Sequence, residues 1–406
     1  MLCAYLLATT GAYSFARVQL RNAQSAADSK QQDSATSSRK EYAGAEACAA
    51  CHQNIVQAYE LTAHNRTTVA ASPANVLGSF APGKNELPTL DPTLHFRMDA
   101  KAGEMSQAAV FGDAPKVRIH SERIDIVVGS GRDGQSYAYW KGDRLFELPV
   151  SYWNDAGWVN SPGYLDGTAD FDRPITPRCL ECHASYVKPI AETEFSNRFE
   201  RTSLELGISC ERCHGPGSPH IAMHTTHAAG DEISGNASAV ATGADLVDIT
   251  KLMRERQMEE CAQCHGGLGR DLEPAFSYEP GEEMNKFVHL DAPDPRINVD
   301  VHGNQVATLE RSRCYGESGT MTCTTCHNPH EAPKPAASYS SSCLECHDAK
   351  QCGEFARLGE KISENCIDCH MPVQTSKQIE SGENGKELQA KLRSHWVKVY
   401  DADAAK

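Results

Sequence analysis

Residues 323–370 read CTTCHNPHEAPKPAASYSSSCLECHDAKQCGEFARLGEKISENCIDCH, and the pattern C-x-x-C-H occurs three times within them. Working outward toward the N-terminus, the pattern returns four more times. In chain order the seven are Cys48, Cys51 and His52 (motif 1); Cys179, Cys182 and His183 (motif 2); Cys210, Cys213 and His214 (motif 3); Cys261, Cys264 and His265 (motif 4); Cys323, Cys326 and His327 (motif 5); Cys343, Cys346 and His347 (motif 6); and Cys366, Cys369 and His370 (motif 7). Fourteen of the seventeen cysteines are used in this way.

The spacing carries its own chemistry. Two cysteines three positions apart share one side of a helical turn, where their sulfurs meet the two vinyl groups on one edge of a haem. The next residue is the proximal iron ligand, so one short segment both attaches and ligates. A single C-x-x-C also suits a zinc half-site or a thioredoxin-like redox pair. Neither alternative requires a histidine after every second cysteine, and a thioredoxin motif does not recur without its βαβ context. The reading is therefore seven covalently bound haem c groups.

Composition agrees with a cofactor-filled interior. Of 406 residues, 40% are hydrophobic but only 7% are aromatic, so side chains alone make a thin core for this length. Thioether haems and a high cysteine count point to an exported protein, periplasmic or extracellular. Residues 2–16, LCAYLLATTGAYSFA, have signal-peptide rather than membrane-spanning length. Residues 1–20 are thus expected to be a signal peptide or an N-terminal anchor that gives membrane contact, and the polar run over 21–40 a flexible linker.

Motif density divides the rest. A first haem-binding segment is expected over 41–92, a small β-rich insertion over 93–170, and a haem-dense region with six sites over 171–406. The insertion is read from KVRIHSERIDIVV, QSYAYWKGDRLFELPV and SYWNDAGWV, rich in β-branched and aromatic residues and broken by turns. Gly129, Gly131 and Gly134 spell G-x-G-x-x-G, but Tyr137, Tyr139 and Trp140 follow where a Rossmann helix would start, so they mark a hairpin tip and not a dinucleotide loop. Six sites in so short a C-terminal part leave room for little but short helices and Gly- and Pro-rich loops around the haems. The expected fold is mainly α with much irregular structure, a multihaem cytochrome c fold organised around stacked haems.

The stretches AEACAACHQNIVQAYELTAHNRT, GISCERCHGPGSPH and SRCYGESGTMTCTTCHNPH, with CIDCHMP, resemble the multihaem superfamily around the tetrahaem cytochrome c of ammonia oxidisers and hydroxylamine oxidoreductase. That resemblance implies stacked haem pairs, two histidine ligands on most irons and electron transfer in respiration. It also implies His64, His220, His302, His330 and His395 as distal ligands. The seven sites depart from the four of the tetrahaem proteins. Of the other histidines, His224 and His227 share a helical face with His220, His289 is a weaker candidate, and His95 and His120 fall in the β-rich part. One or two irons are expected to lack a distal histidine, with motif 2 the first candidate. Cys314 and Cys352, outside the motifs, are expected to be bonded to each other.

The formal charge of −15, with two propionates added per haem, makes nucleic acid an unsuitable partner. It suits redox proteins with basic docking patches, such as other cytochromes or a membrane quinol-linked donor, and a homo-oligomer is a further expectation. An electron conduit is the leading function. The competitors are a reductase of a small nitrogen or sulfur oxide at a five-coordinate haem and a subunit of a stacked cytochrome polymer. No C-x-x-C-K motif of the kind used at catalytic haems of nitrite-reducing relatives occurs.

Overall fold

The computed structural model describes residues 42–190, 195–227, 246–267, 269–290, 299–383 and 385–400. The expected signal segment and linker, 1–20 and 21–40, lie outside the described residues.

Two antiparallel sheets occupy the stretch between motifs 1 and 2. One has the order β1 (Thr68–Ala70), β6 (Ile126–Val128), β7 (Gly134–Lys141), β9 (Val150–Trp153), β10 (Gly157–Asn160), with β8 (Arg144–Glu147) also paired to β7; the other runs β2 (Glu86–Pro88), β3 (Leu94–Lys101), β4 (Glu104–Phe111), β5 (Arg118–Arg123). On β3 the residues alternate, with Leu94, Phe96 and Met98 buried and His95, Arg97 and Asp99 more open, the period of a strand with one covered face. Those side chains join Leu87, Tyr137, Tyr139, Val150 and Trp158 in one core between the sheets. Gln107 on β4 crosses that core: its amide donates to Val150 O at 2.6 Å and accepts from Val150 N at 3.0 Å, satisfying a buried polar pair between the sheets.

The three glycines of the false dinucleotide pattern lie between and at the edge of β6 and β7. Gly129 and Gly131 have φ of 105° and 83°, and a Cβ on Gly134 would come 2.5 Å from Tyr152 O. They shape a hairpin.

Past this sandwich the chain makes short pieces. A hairpin of β11 (Ala184–Pro189) and β12 (Phe199–Leu206) follows motif 2; β13 (Arg270–Asp271) pairs with β14 (Val288–His289); and β15 (Val373–Glu383) with β16 (Lys386–Arg393) closes the described chain. The last hairpin docks on β10, where Asn160 Nδ2 donates to Gly382 O at 2.7 Å and Ser381 Oγ donates to Asn160 O. The helices are α1 (Ala45–Tyr59), α2 (Pro177–Glu181), α3 (Glu211–His214), α4 (Ser218–His227), α5 (Arg254–His265), α6 (Gln305–Glu310), α7 (Arg313–Glu317), α8 (Ser340–Leu344), α9 (Phe355–Leu358) and α10 (Ile367–His370).

Helix and strand take similar shares of the described residues, which corrects the expectation of a mainly α chain. Most motif-bearing helices are only a turn or so long, because a C-x-x-C-H segment needs no more, while the strands outside them are many. Among the described residues no helix is long and apolar enough to cross a membrane. The expected Cys314–Cys352 bond is absent: both are free thiols, and Cys314 lies instead within electrostatic reach of Cys326 and Cys343. Their presence in one region of sequence did not place them within bonding distance.

Candidate haem-binding centres

Each motif forms a tight turn at or within a short helix. Motifs 1, 2, 3, 4, 6 and 7 sit in or at the ends of α1, α2, α3, α5, α8 and α10, and motif 5 begins a single 3-10 turn, Cys323–Thr325, held by a capping box between Thr322 and Thr325. One hydrogen bond recurs. The histidine N–H donates to the first cysteine's carbonyl in motif 3 (His214 to Cys210, 3.0 Å), motif 5 (His327 to Cys323, 3.0 Å), motif 6 (His347 to Cys343, 2.9 Å) and motif 7 (His370 to Cys366, 3.0 Å). This i to i−4 bond winds two sulfurs and one imidazole onto a single turn.

Four of the seven motif imidazoles, those of motifs 1, 3, 4 and 5, face a second histidine from a distant segment. Ring centroids are 6.5 Å apart for His52 and His220, 6.2 Å for His265 and His64, 5.8 Å for His214 and His330, and 6.2 Å for His327 and His395. With a metal–imidazole bond of about 2 Å, two rings on opposite faces of one iron have centroids about 6 to 6.5 Å apart. Direct ring packing is closer: His224 lies 4.5 Å from His220, which leaves His220 as the ring facing His52 across the wider gap. His302 forms no such ring pair with a motif histidine among the described contacts and acts electrostatically on His183. Burial holds His183 below the ordinary histidine range, and its electrostatic interaction with His302 adds to the effect.

The outer nitrogens are also managed. His214 Nδ1 donates to Val247 O at 2.9 Å and His370 Nδ1 to Lys398 O at 2.8 Å, so in both rings Nε2 keeps its lone pair for a metal. His183 Nδ1 is 3.1 Å from Thr67 Oγ1, and His265 Nδ1 is 3.2 Å from Gln305 Oε1. Burial lowers the affinity of His64, His265, His302, His327 and His330 for a proton and takes His395 down to about 4, with the nearby His327 adding to the effect. His395 Nδ1 is buried with no hydrogen-bond partner. Neutral, desolvated imidazoles with an uncommitted nitrogen are what an iron requires, so these residues fit the group that the motifs imply.

The motifs also touch one another. The Cys182 thiol contacts that of Cys264 and lies 3.6 Å from Gln263 O, while Cys264 Sγ is 4.0 Å from Glu181 O, joining motifs 2 and 4. Cys261 and Cys323 share a core with Met258 and Tyr278, joining motifs 4 and 5. Cys48 meets Cys210, and Cys343 meets Cys366.

Residues between the cysteines pin this arrangement, a role not read from the sequence. Buried Glu211, inside motif 3, accepts from Ala43 N (2.7 Å), Gly44 N (2.8 Å) and Gly217 N (2.8 Å), so it grips the chain just before α1 and motif 1. Buried Glu181, inside motif 2, pairs with Arg178, lies 3.7 Å from Arg212 of motif 3, and accepts from Phe276 N at 2.8 Å. The available signal was a charged residue at an inner motif position, in CLECH and CERCH.

The remaining candidates stand elsewhere. His95 and His120 lie on β3 and β5, where His120 is 3.2 Å from Glu122 and 4.5 Å from the Phe171 ring. His289 lies on β14, opposite Arg270.

Residues 151–215, which contain motifs 2 and 3, match the family described as cytochrome c554 and c-prime. The C-type polyheme cytochrome OmcC of Geobacter sulfurreducens is 21% identical over 170 residues, 42% of this chain and 20% of that protein. The multiheme cytochrome MtrA of Shewanella baltica is 26% identical over 192 residues, 43% of this chain and 53% of that protein. The chain thus spans a fifth of one relative and about half of the other. The crystal structure of the outer cell wall cytochrome OcwA superposes with a TM-score of 0.52 at 18% identity, covering 88% of this chain and 80% of that one, a likeness of fold. Its motifs, its paired imidazoles and these likenesses together make the chain a multihaem c-type cytochrome that binds haem covalently.

Proposed function

We propose that the chain carries seven haems, one per motif, and serves as an electron conduit outside the cytoplasm. Bound haem supplies reversible one-electron chemistry. The chain's part would be to hold haem through the motif cysteines and histidines, to offer most motifs a second histidine, and to keep neighbouring attachment turns in contact. The observation that carries this reading is the set of four ring pairs near 6 Å, each joining a motif histidine to one from a remote segment. An iron held on both faces exchanges electrons but offers no site to a substrate.

In this reading His64, His220, His302, His330 and His395 are the distal ligands of motifs 4, 1, 2, 3 and 5. Motif 2 then yields its place as the first candidate for an open iron. The divisions proposed are a first haem segment over 41–92, a β-rich part over 93–170 and a haem-dense part over 171–406, with β1 and β2 of the first segment pairing into the sheets of the second. Partners are other cytochromes or a membrane quinol-linked donor.

Electron paramagnetic resonance of the oxidised protein tests the pairing. The His214 and His330 planes lie 9° apart and those of His265 and His64 74° apart. Near-parallel planes split the iron d orbitals unequally and near-perpendicular planes do not, so motif 4 is expected to give a low-spin signal with a larger highest g value than motif 3. His64→Met should remove that signal alone. Rapid turnover of nitrite or hydroxylamine by a protein whose irons are all low-spin would contradict the conduit.

A further inference from the structure

Residues 394–400, SHWVKVY, follow the last strand, β16, and run past two motifs at once. On one side His395 stands 6.2 Å from His327 of motif 5, ring centroid to ring centroid. Three positions on, Lys398 grips motif 7: its carbonyl accepts from His370 Nδ1 at 2.8 Å, and its N–H donates to His370 O at 3.3 Å. Arg393, at the end of β16, adds a further tie, donating to Met371 O at 2.7 Å and pairing at 2.8 Å with Asp368, which lies between the motif 7 cysteines.

This stretch is fastened from the other side by the residues that open α7. Ser312 stands at the N-cap of that helix, where a serine hydroxyl ordinarily accepts from the first amides of its own helix. Ser312 makes no such bond. Its hydroxyl, at 1% exposure, accepts from Val397 N at 2.7 Å and donates to His395 O at 3.1 Å. The carbonyl of neighbouring Arg311 accepts from Trp396 Nε1 at 3.1 Å. Its guanidinium lies 4.1 Å from the centre of that ring, and Lys398 Nζ lies 3.6 Å from it. A helix-cap hydroxyl is thus turned away from its helix to hold backbone 83 and 85 positions distant.

We propose that residues 394–400 form one strap shared by two haem centres, presenting His395 to motif 5 and fixing the motif 7 histidine through Lys398, with Ser312 as the positioning residue that sets both together. This rests on the reading that each motif carries a haem and that His395 is the distal ligand of motif 5. A histidine that donates from Nδ1 to a carbonyl is the stronger electron donor through Nε2, which favours oxidised iron and lowers its potential. A distal imidazole held firmly in place acts in the same direction. Loosening the strap therefore raises the potential of both centres, although the Ser312 hydroxyl bonds only to backbone.

The test is a spectroelectrochemical titration of the full-length holoprotein, with electron paramagnetic resonance of its oxidised form. Ser312→Ala and Trp396→Leu, two independent ways of loosening the strap, should each shift the same two one-electron steps to higher potential. One of the two should be the step whose low-spin signal His395→Met removes. Ser312→Thr, which keeps the hydroxyl, should restore both. A shift of the His395 step alone, of no step, or of all steps together would overturn the shared strap. Survival of every low-spin signal in His395→Met would instead defeat the ligand reading beneath it.

Discussion

The histidine and acid side chains around the motifs differ sharply in how far their roles extend along the chain. Glu211 is a residue of motif 3, yet its carboxylate is spent on amides 168 and 167 positions away. Truncating it strips charge-assisted bonds from three N–H groups, so Glu211→Ala should cost about 2 to 4 kcal/mol. Limited proteolysis near Ala43 and Gly44 should show the loss first, and an unchanged cleavage rate there would contradict the role given to Glu211. The same contrast marks what could be read beforehand. A C-x-x-C-H segment completes its chemistry within five residues, so all seven were legible. The nearness of His64, His220, His330 and His395 to motif histidines could be anticipated only through resemblance, because nothing local in TAHN or RSHW says which ring they stand beside. The reading of motif 2 rested on proximity in sequence, which takes no account of His302, a residue more than a hundred positions on that acts electrostatically on His183.

Among the elements, β8 contains an acid that ties stability to pH. Burial raises the Glu147 carboxyl to about 7, with Arg173 at 3.3 Å opposing the shift only in part. A carboxyl whose folded value exceeds its unfolded one contributes stability that is complete below about 4.5 and is lost as pH rises through 7. Glu147→Gln should therefore flatten the fall in unfolding free energy between pH 5 and pH 8, gaining up to about 3 kcal/mol at the upper end. Denaturant unfolding at the two pH values measures it; parallel losses in both proteins would refute the assignment. The strands near this acid were legible in outline, since alternation such as Leu94, Phe96, Met98 is a property of the sequence itself. The overall balance of helix and strand was not. In the late hairpins β12 and β16 are mostly open and β11 buries Ala184, Ser185 and Val187 out of alternation, which leaves a weak period-2 signal, so the haem-dense part was read as helix and loop.

At the scale of the whole molecule, charge and haem number dominate. A formal charge of −15, deepened by propionates, should steer partners with basic surfaces. Electron exchange with a basic cytochrome should slow about tenfold or more as salt rises from low ionic strength to 1 M, where the Debye length is only about 3 Å. A rate indifferent to salt would mean that docking uses other forces. Motifs that touch one another, 1 with 3, 2 with 4, 4 with 5 and 6 with 7, set the attachment turns within the fold and not on a finished surface. The most direct test of the account is the intact mass of the purified, denatured protein combined with alkylation under denaturing conditions. The account predicts the polypeptide plus seven haems, with all fourteen motif cysteines blocked and Cys314 and Cys352 free to react; fewer than seven haems, or alkylation at any motif cysteine, would contradict it.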